Sequence, residues 1–513
     1  MTIRNFAAIS VFATVGFSLP VSAMYVEVDN VAYEISASRG SAYVTSLSEE
    51  SHPESPKYEG EVEIPSVITV DDVDYGVIGI GVDTFAGCAG LLSVKLPESL
   101  LSIGDYAFSD CVALREIVIP SGVTSIGVSS FSGCSSLEAV VIPTGVSSLG
   151  SRVFYNCGSL ERIELPASLR RIGESAFSLC RSLRSVDMPQ EMAQIDSRAF
   201  RGCSSLTEVV MPLMVNTVGE GVFQECSSLE TVEWENMPDC IPAYLFANCK
   251  SLREVFIPEK TRLIGAYAYQ GCTSLKKVEL PESLTIIEEG AFSLCTSLLE
   301  VVFGAEPDDT ASEGMRYTPL LQLGNRSFAG CQSLCEAFLY GVEAVGDESF
   351  DGCSALEAVV FDKRTGTIGS RAFRNCPSLI RIFATSDNPP VLSNVAFDRE
   401  AYASVDLYTP VSAESLYKQT APWSNFMRIY GTEDSPSGIG GGLVDDEDEM
   451  VQIVTHVGEV SIVGMGLAPV SVYSLDGQLL YSSENPGDSL TVQLPGGGVY
   501  IVRVGDDVRK VML

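Results

Sequence analysis

Cysteine is the residue whose type and spacing first suggest chemistry in this sequence. Fifteen are present, and Cys88, Cys111, Cys134, Cys157, Cys180, Cys203, Cys226, Cys249, Cys272 and Cys295 recur at a constant interval of 23 residues, followed by Cys331, Cys353 and Cys376. Thiolates hold zinc when several converge on one point, and cysteine pairs crosslink exported chains. A constant interval serves neither purpose, because equivalent positions in successive units lie in a line. The reading that follows is structural: a small, weakly polar side chain filling a tight, buried column. The two histidines, His52 and His456, fall outside the periodic segment, which leaves mixed Cys/His metal sites without ligands. Cys240 and Cys335 stand off the column. Pairing of Cys335 with Cys331, or of Cys240 with Cys249, stays open at this stage.

Other reactive constellations are missing. The sequence has no G-x-S-x-G elbow, no phosphate-binding G-x-x-x-x-G-K-[ST] loop and no H-E-x-x-H pair, and two isolated histidines do not furnish an ordinary triad. We therefore expect no enzyme, no catalytic residues and no cofactor. The acidic run Asp445-Asp446-Glu447-Asp448-Glu449 offers oxygen ligands for calcium, but it lacks the EF-hand spacing and central glycine and reads as a solvated charge run. A formal net charge of -35 opposes binding to phosphate backbones and to anionic membranes, so nucleic acid is excluded as a partner.

The elements that position the cysteines follow from the period. One unit reads Phe108-x-x-Cys111-x-x-Leu114-x-x-Ile117-x-Ile119-Pro120-x-x-Val123-x-x-Ile126-Gly127, and the next begins at Phe131. Leu114, Ile117 and Ile119 face one side of a short strand that Pro120 stops; Val123 and Ile126 form a second extended piece closed by Gly127. Phe108 and Cys111 share the inner face of a single helical turn. One such loop has no partner against which to bury these groups, whereas coils stacked in parallel bury them as a continuous core. The fold class expected is a repeat solenoid, a right-handed superhelix of parallel β-strands and short helical turns. Tyr269 replaces Phe in one coil. Glu235, Gly304, Tyr340, Asp362 and Thr385 stand where the repeat expects Pro. Between Cys295 and Cys331 the interval widens to 36, so residues 304–323 form an insertion, either a tolerated surface excursion or a binding loop.

The motif Ala-Phe-x-x-Cys-x-x-Leu-x-x-Ile-x-Ile-Pro-x-x-Val-x-x-Ile-Gly, as at residues 107–127, resembles the BspA-like leucine-rich-repeat surface proteins of Bacteroidetes. Within that resemblance residues 24–80 are similar to an N-terminal cap, through Tyr33-Glu34-Ile35, residues 58–65 and Tyr75-Gly76-Val77-Ile78. Repeats occupy 81–384. Residues 385–430 are similar to a closing cap, through Asn388-Pro389-Pro390-Val391, Phe397, Leu407-Tyr408-Thr409-Pro410 and Trp423-Ser424-Asn425-Phe426. A Gly-rich and acidic linker spans 431–450. Residues 451–513 alternate apolar and polar residues around Asp476-Gly477 and Gly-Gly turns, which predicts a small all-β sandwich. Val472-Tyr473-Ser474-Leu475-Asp476-Gly477-Gln478, Gly498-Val499-Tyr500-Ile501-Val502-Arg503 and Arg509-Lys510-Val511 resemble the C-terminal sorting domain of type IX secretion, which implies export and surface attachment.

Residues 1–23 read as a secretory signal, with Arg4, an apolar stretch from Phe6 to Leu19 and the small-residue site Val21-Ser22-Ala23. The apolar stretch falls short of the roughly 20 residues of a spanning helix, so no membrane span is expected after cleavage. Location follows as secreted or on the outer-membrane exterior, with the periplasm as the alternative. The family resemblance implies adhesion to proteins, including host extracellular matrix or other bacterial surfaces; a matrix component without a discrete ligand is the competing reading. We expect a monomer. From the residues themselves comes a candidate face: the outward strand position carries Lys95, Val118, Val141, Glu164, Asp187, Val210, Glu233, Phe256, Glu279, Val302, Phe338, Val360 and Phe383. Val210, Phe256 and Val302 alternate with Glu233 and Glu279 as an apolar strip interleaved with acids. β-propensity alone also places Val and Phe on strands, and both explanations stand.

Overall fold

The computed structural model describes residues 3–5, 24–47, 57–234, 237–303 and 321–432, together with seven strands and two adjoining residues between 452 and 512. Most of the expected signal (6–23), His52, most of the insertion (304–320) and most of the linker (433–450) lie outside the described residues. The chain divides into two compact units, one of residues 1–408 with 413–429, the other of 409–412 with 430–513.

The first unit is a parallel β-solenoid, as the period predicts. At its N-terminal end the strands Met24–Val28, Val31–Ser36 and Ser41–Thr45 pair antiparallel, and Ser41–Thr45 then pairs parallel with Val73–Ile80. From there the second extended piece of each coil adds one strand: Ser102–Ile103 pairs with Val73–Ile80, and Ser125–Ile126 with Ser102–Ile103. The coils register residue on residue, Ile172 on Ile195 and Ile264 on Ile287, as a 23-residue unit requires. The first extended piece makes a separate ladder, in which Val140 lies on Ile163 and Val209 on Val232. This second ladder has gaps. Residues 184–188 and 253–257 form no strand.

The apolar positions of the repeat are buried in most coils, with Leu165, Val218, Val232 and Val255 partly buried. In one coil Phe177, Cys180, Leu183 and Ile195 are fully inaccessible, while Arg184 is exposed. The Phe rings form a stack along the solenoid, with centroids 5.2 Å apart and planes 2° off parallel for Phe108 and Phe131. Offset ring stacking of this kind adds to the burial of each ring. Tyr58 packs on Phe85 at one end, and Phe397 stacks on Phe373 at the other. The stack passes the insertion unbroken, since Phe292 and Phe328 lie 5.3 Å apart.

The Phe-to-Cys segment is a run of turns rather than a regular helix. Bonds of i to i+3 type recur, such as the Cys111 N–H to the Phe108 carbonyl at 3.3 Å, but each coil carries two left-handed residues. The residue before the column cysteine is one of them: Asp110, Asn156, Asn248 and Asn375, or Gly87, Gly133 and Gly202, with φ between 57° and 76°. Left-handed backbone interrupts helix propagation and favours Gly, Asn and Asp. Glycine has a different role at Gly127, where a Cβ would lie 2.5 Å from the Asp105 backbone nitrogen in the preceding coil.

Among the described residues of the tail, two antiparallel sheets are present. One contains Gln452–His456, Glu459–Val463 and Ser489–Gln493; the other Val470–Ser474, Leu479–Ser483, Val499–Val504 and Asp507–Met512. Ile462 and Val492 from the first share a core with Val470, Val472 and Val502 from the second, which is the expected sandwich.

Candidate functional site

The cysteine column is inert in the way its linear spacing implies, but it has a job the spacing did not reveal. None of the fifteen cysteines is in a disulfide, so neither the Cys335–Cys331 nor the Cys240–Cys249 bridge forms. Cys240 is exposed on a two-residue strand and Cys335 is half-buried. Each column thiol from Cys111 onward donates to the Phe or Tyr carbonyl of the preceding coil: Cys134 to Phe108 at 3.1 Å, Cys180 to Phe154 at 3.1 Å, Cys331 to Phe292 at 3.3 Å. That carbonyl also accepts the Cys N–H of its own coil, as Phe154 does from Cys157 at 3.3 Å. Both lone pairs of a buried carbonyl are thereby used. Burial pushes the thiols up, Cys134 and Cys180 to about 12, so they stay protonated and keep donating. Among the described residues no group of three or more His, Cys, Asp or Glu side chains is placed to hold a metal ion. Likewise no helix among them is long and apolar enough to cross a membrane.

The outward face is only partly as expected. Val210 and Glu233 are in register on adjacent strands, as are Glu279 and Val302. Val210 is 56% exposed and Phe256 66%, Glu233 and Glu279 are exposed, and Val302 is half-buried. Phe256 does not stand on a strand. It lies in one of the gaps of the ladder, where residues 253–257 make no cross-coil backbone hydrogen bond among the described residues. The acids are not a free row either: Lys277 lies 3.0 Å from Glu279 and 3.6 Å from Glu300, and Arg253 pairs with Glu230 at 3.3 Å. Towards the C-terminal end the outward assignment fails. Val360 and Phe383 are buried, because Val360 sits in register between Phe338 and Phe383, and the Phe383 ring stacks on Tyr408 at 4.8 Å.

The gap at Phe256 coincides with two departures from the repeat. Trp234 stands where other coils carry Ile119, Ile142 or Met211, and Tyr269 stands in the Phe column. Both line a small cavity of about 20 Å³ beside Phe246, Leu252, Glu254 and Phe256. Neither departure was read as functional from the sequence; their coincidence two coils apart was the available signal.

The model of the BspA type leucine rich repeat region matches residues 68–184, 171–299 and 318–415, with six copies. These spans cover more than half of the sequence. The chain belongs to the BspA-type leucine-rich-repeat family. Among solved structures, a leucine-rich repeat protein from Bacteroides ovatus is 26% identical, with a TM-score of 0.55 over 72% of this chain and 99% of that one. A leucine rich cell surface protein from Faecalibacterium prausnitzii is also 26% identical, with a TM-score of 0.51 over 70% of this chain and 94% of that one. No curated protein matches. The BspA-type solenoid lays its coils side by side, so its side chains form long rows on a continuous surface of the kind repeat proteins use to bind other proteins.

Proposed function

We propose that this BspA-type solenoid is a non-enzymatic binding protein, secreted or displayed on the outer-membrane exterior, that engages a protein partner through the outward face around Phe256. The observation that carries the reading is a bulky apolar side chain, Phe256, two-thirds exposed between the coils of exposed Glu233 and Glu279, with Val210 one coil beyond Glu233. An exposed aromatic within a polar rim is the composition of an interface hot spot. The acids suit a partner that brings basic groups, a host matrix protein or another bacterial surface protein among them. Surface display is supported by the family, by the F. prausnitzii relative's description as a cell surface protein and by the tail's resemblance to a sorting domain.

The experiment is a pull-down with the mature protein against host matrix proteins and co-resident bacteria, repeated with Phe256→Ser and with Glu233→Lys plus Glu279→Lys. Loss of capture in both variants, with folding intact, supports the face. Capture that survives both moves attention to the 304–323 insertion, and no capture at all favours a matrix component without a discrete ligand.

A further inference from the structure

One position of the turn segment, the fifth residue before the column cysteine, carries two triples on successive coils that each begin and end in Arg. Near the C-terminal end it holds Arg326, Glu348 and Arg371, and in the middle of the solenoid Arg152, Ser175 and Arg198. All six residues share one left-handed conformation, with φ between 55° and 58°. Each backbone N–H donates to the following coil, as Glu348 does to the Ser370 carbonyl at 2.9 Å and Ser175 to the Ser197 carbonyl at 3.0 Å. In the first triple the middle carboxylate bridges its neighbours: Arg326 Nε lies 2.7 Å from one Glu348 oxygen, and Arg371 Nη1 lies 3.3 Å from the other. These contacts, that from Arg326 foremost, hold the Glu348 carboxyl below its ordinary value. The second triple has no such bridge. Arg152 and Arg198 are exposed and form no ion pair among the described residues, and Ser175 between them brings no charge. Glu174 and Glu220, in the adjoining row, pair with neither.

We propose that Arg152 and Arg198 form a binding site for an acidic segment of a protein partner, one of whose carboxylates takes the place over Ser175 that Glu348 takes between Arg326 and Arg371. The shared backbone sets the two arginines two coils apart in both triples, a span that one carboxylate bridges in the C-terminal coils. Guanidinium donors match the oxygens of a carboxylate in number and plane. The surroundings are basic as well. Residues 152–158, 175–181 and 198–204, the turn segments of these three coils, contain Arg152, Arg181, Arg198 and Arg201 and no carboxylate. Arg181 donates to Asn156 Oδ1 at 3.3 Å, and Arg201 pairs with Glu225 at 2.8 Å. The net charge of -35 repels an acidic ligand at long range, but at physiological ionic strength charges beyond about 8 Å are screened, so the local cations decide. One exposed ion pair contributes only a few-fold in affinity, which is why the ligand is a segment with several acids rather than a lone carboxylate. The site lies in the turn segments, not in the extended piece that carries Phe256, and does not depend on the reading of that face.

The test is titration of the full chain with a fluorescently labelled pentaglutamate peptide and with its pentaglutamine counterpart, at a salt concentration of about 0.15 M. Saturable binding of the glutamate peptide alone, weakening as salt is added, is expected. Arg152→Gln with Arg198→Gln should weaken it about ten-fold, a few-fold from each charge pair. Ser175→Glu supplies the bridging carboxylate from within, as Glu348 does, and should weaken binding to the same extent while melting no lower than the wild type. Conversely, Glu348→Ser opens the other triple and should add a second, equivalent site. Unchanged affinity in a folded Ser175→Glu protein overturns the proposal, as does equal binding of the two peptides. If Ser175→Glu fails to fold, the double Arg variant, altered at exposed positions, decides alone, and unchanged affinity there overturns the proposal too. Binding of a sulfated oligosaccharide without binding of the glutamate peptide overturns the assignment to a carboxylate and to a protein partner.

Discussion

Replacing Cys180 with Ala tests the thiol ladder, because it removes one donor and one sulfur atom and nothing else. Cys180 is fully buried, and its thiol donates to the Phe154 carbonyl at 3.1 Å. Losing that bond and the packed sulfur costs about 2 kcal/mol near neutral pH, roughly one for the net hydrogen bond and one for the small cavity. The diagnostic feature is how this cost changes with pH. The folded thiol is pushed from 9.0 up to about 12, with desolvation by burial the largest cause. A raised folded value means the native state holds its proton where the unfolded chain has released it. The stabilisation is therefore complete below pH 9 and is lost progressively as pH rises from 9 towards 12. At one pH unit above the unfolded value the wild-type unfolded state gains about 1.4 kcal/mol from ionisation of this thiol, which the Ala variant does not. The penalty of Cys180→Ala should thus shrink from about 2 kcal/mol at pH 8 to about 0.5 kcal/mol at pH 10. Urea unfolding of both proteins at the two pH values, followed by circular dichroism, measures it. A penalty that is constant or grows with pH refutes the claim that the column is buried and protonated, as does rapid alkylation of the native thiols at pH 8.

Three further outcomes follow from the same geometry. Leu183→Ala should destabilise the solenoid by about 2 to 5 kcal/mol, whereas Arg184→Ala should stay within about 0.5 kcal/mol; equal effects in thermal unfolding would invert the assignment of faces. Leu294 occupies the left-handed position before Cys295 with φ 60° and is half exposed, so Leu294→Gly should gain up to about 1 kcal/mol, and a lower melting temperature would show that its packing outweighs its backbone strain. Deleting residues 451–513 should leave the repeat unit folded, because the two units have separate cores, but remove the protein from the cell surface; unchanged surface fractionation would dispose of the sorting role.

What the sequence revealed, and what it withheld, follows from the repeat itself. Positions such as Leu183, Ile195 and Phe177 were legible because each contacts its own copies in the coils on either side, so the period alone says which way they face. The helical turn between Phe and Cys was less legible. Its left-handed residues show up only as a weak preference for Gly, Asn and Asp before each cysteine, and Leu179, Glu225 and Leu294 depart from it. Outward positions are harder still: what covers Val360 or Phe383 depends on the ring next to it, not on its own place in the unit. The same nearest-neighbour logic gives the irregular residues their meaning. In a globular domain, Trp234 and Tyr269 would be unrelated substitutions. Here they belong to coils seven and nine and flank the coil of Phe256, so departures separated in sequence must meet in space if they perturb the stack at all. The ladder opens at that coil, the cavity lies there, and Phe256, the most exposed aromatic ring among the described residues, lines it. In a one-dimensional fold, the place where the repeat lapses is the place where a surface can become unlike the rest, and recognition requires that unlikeness.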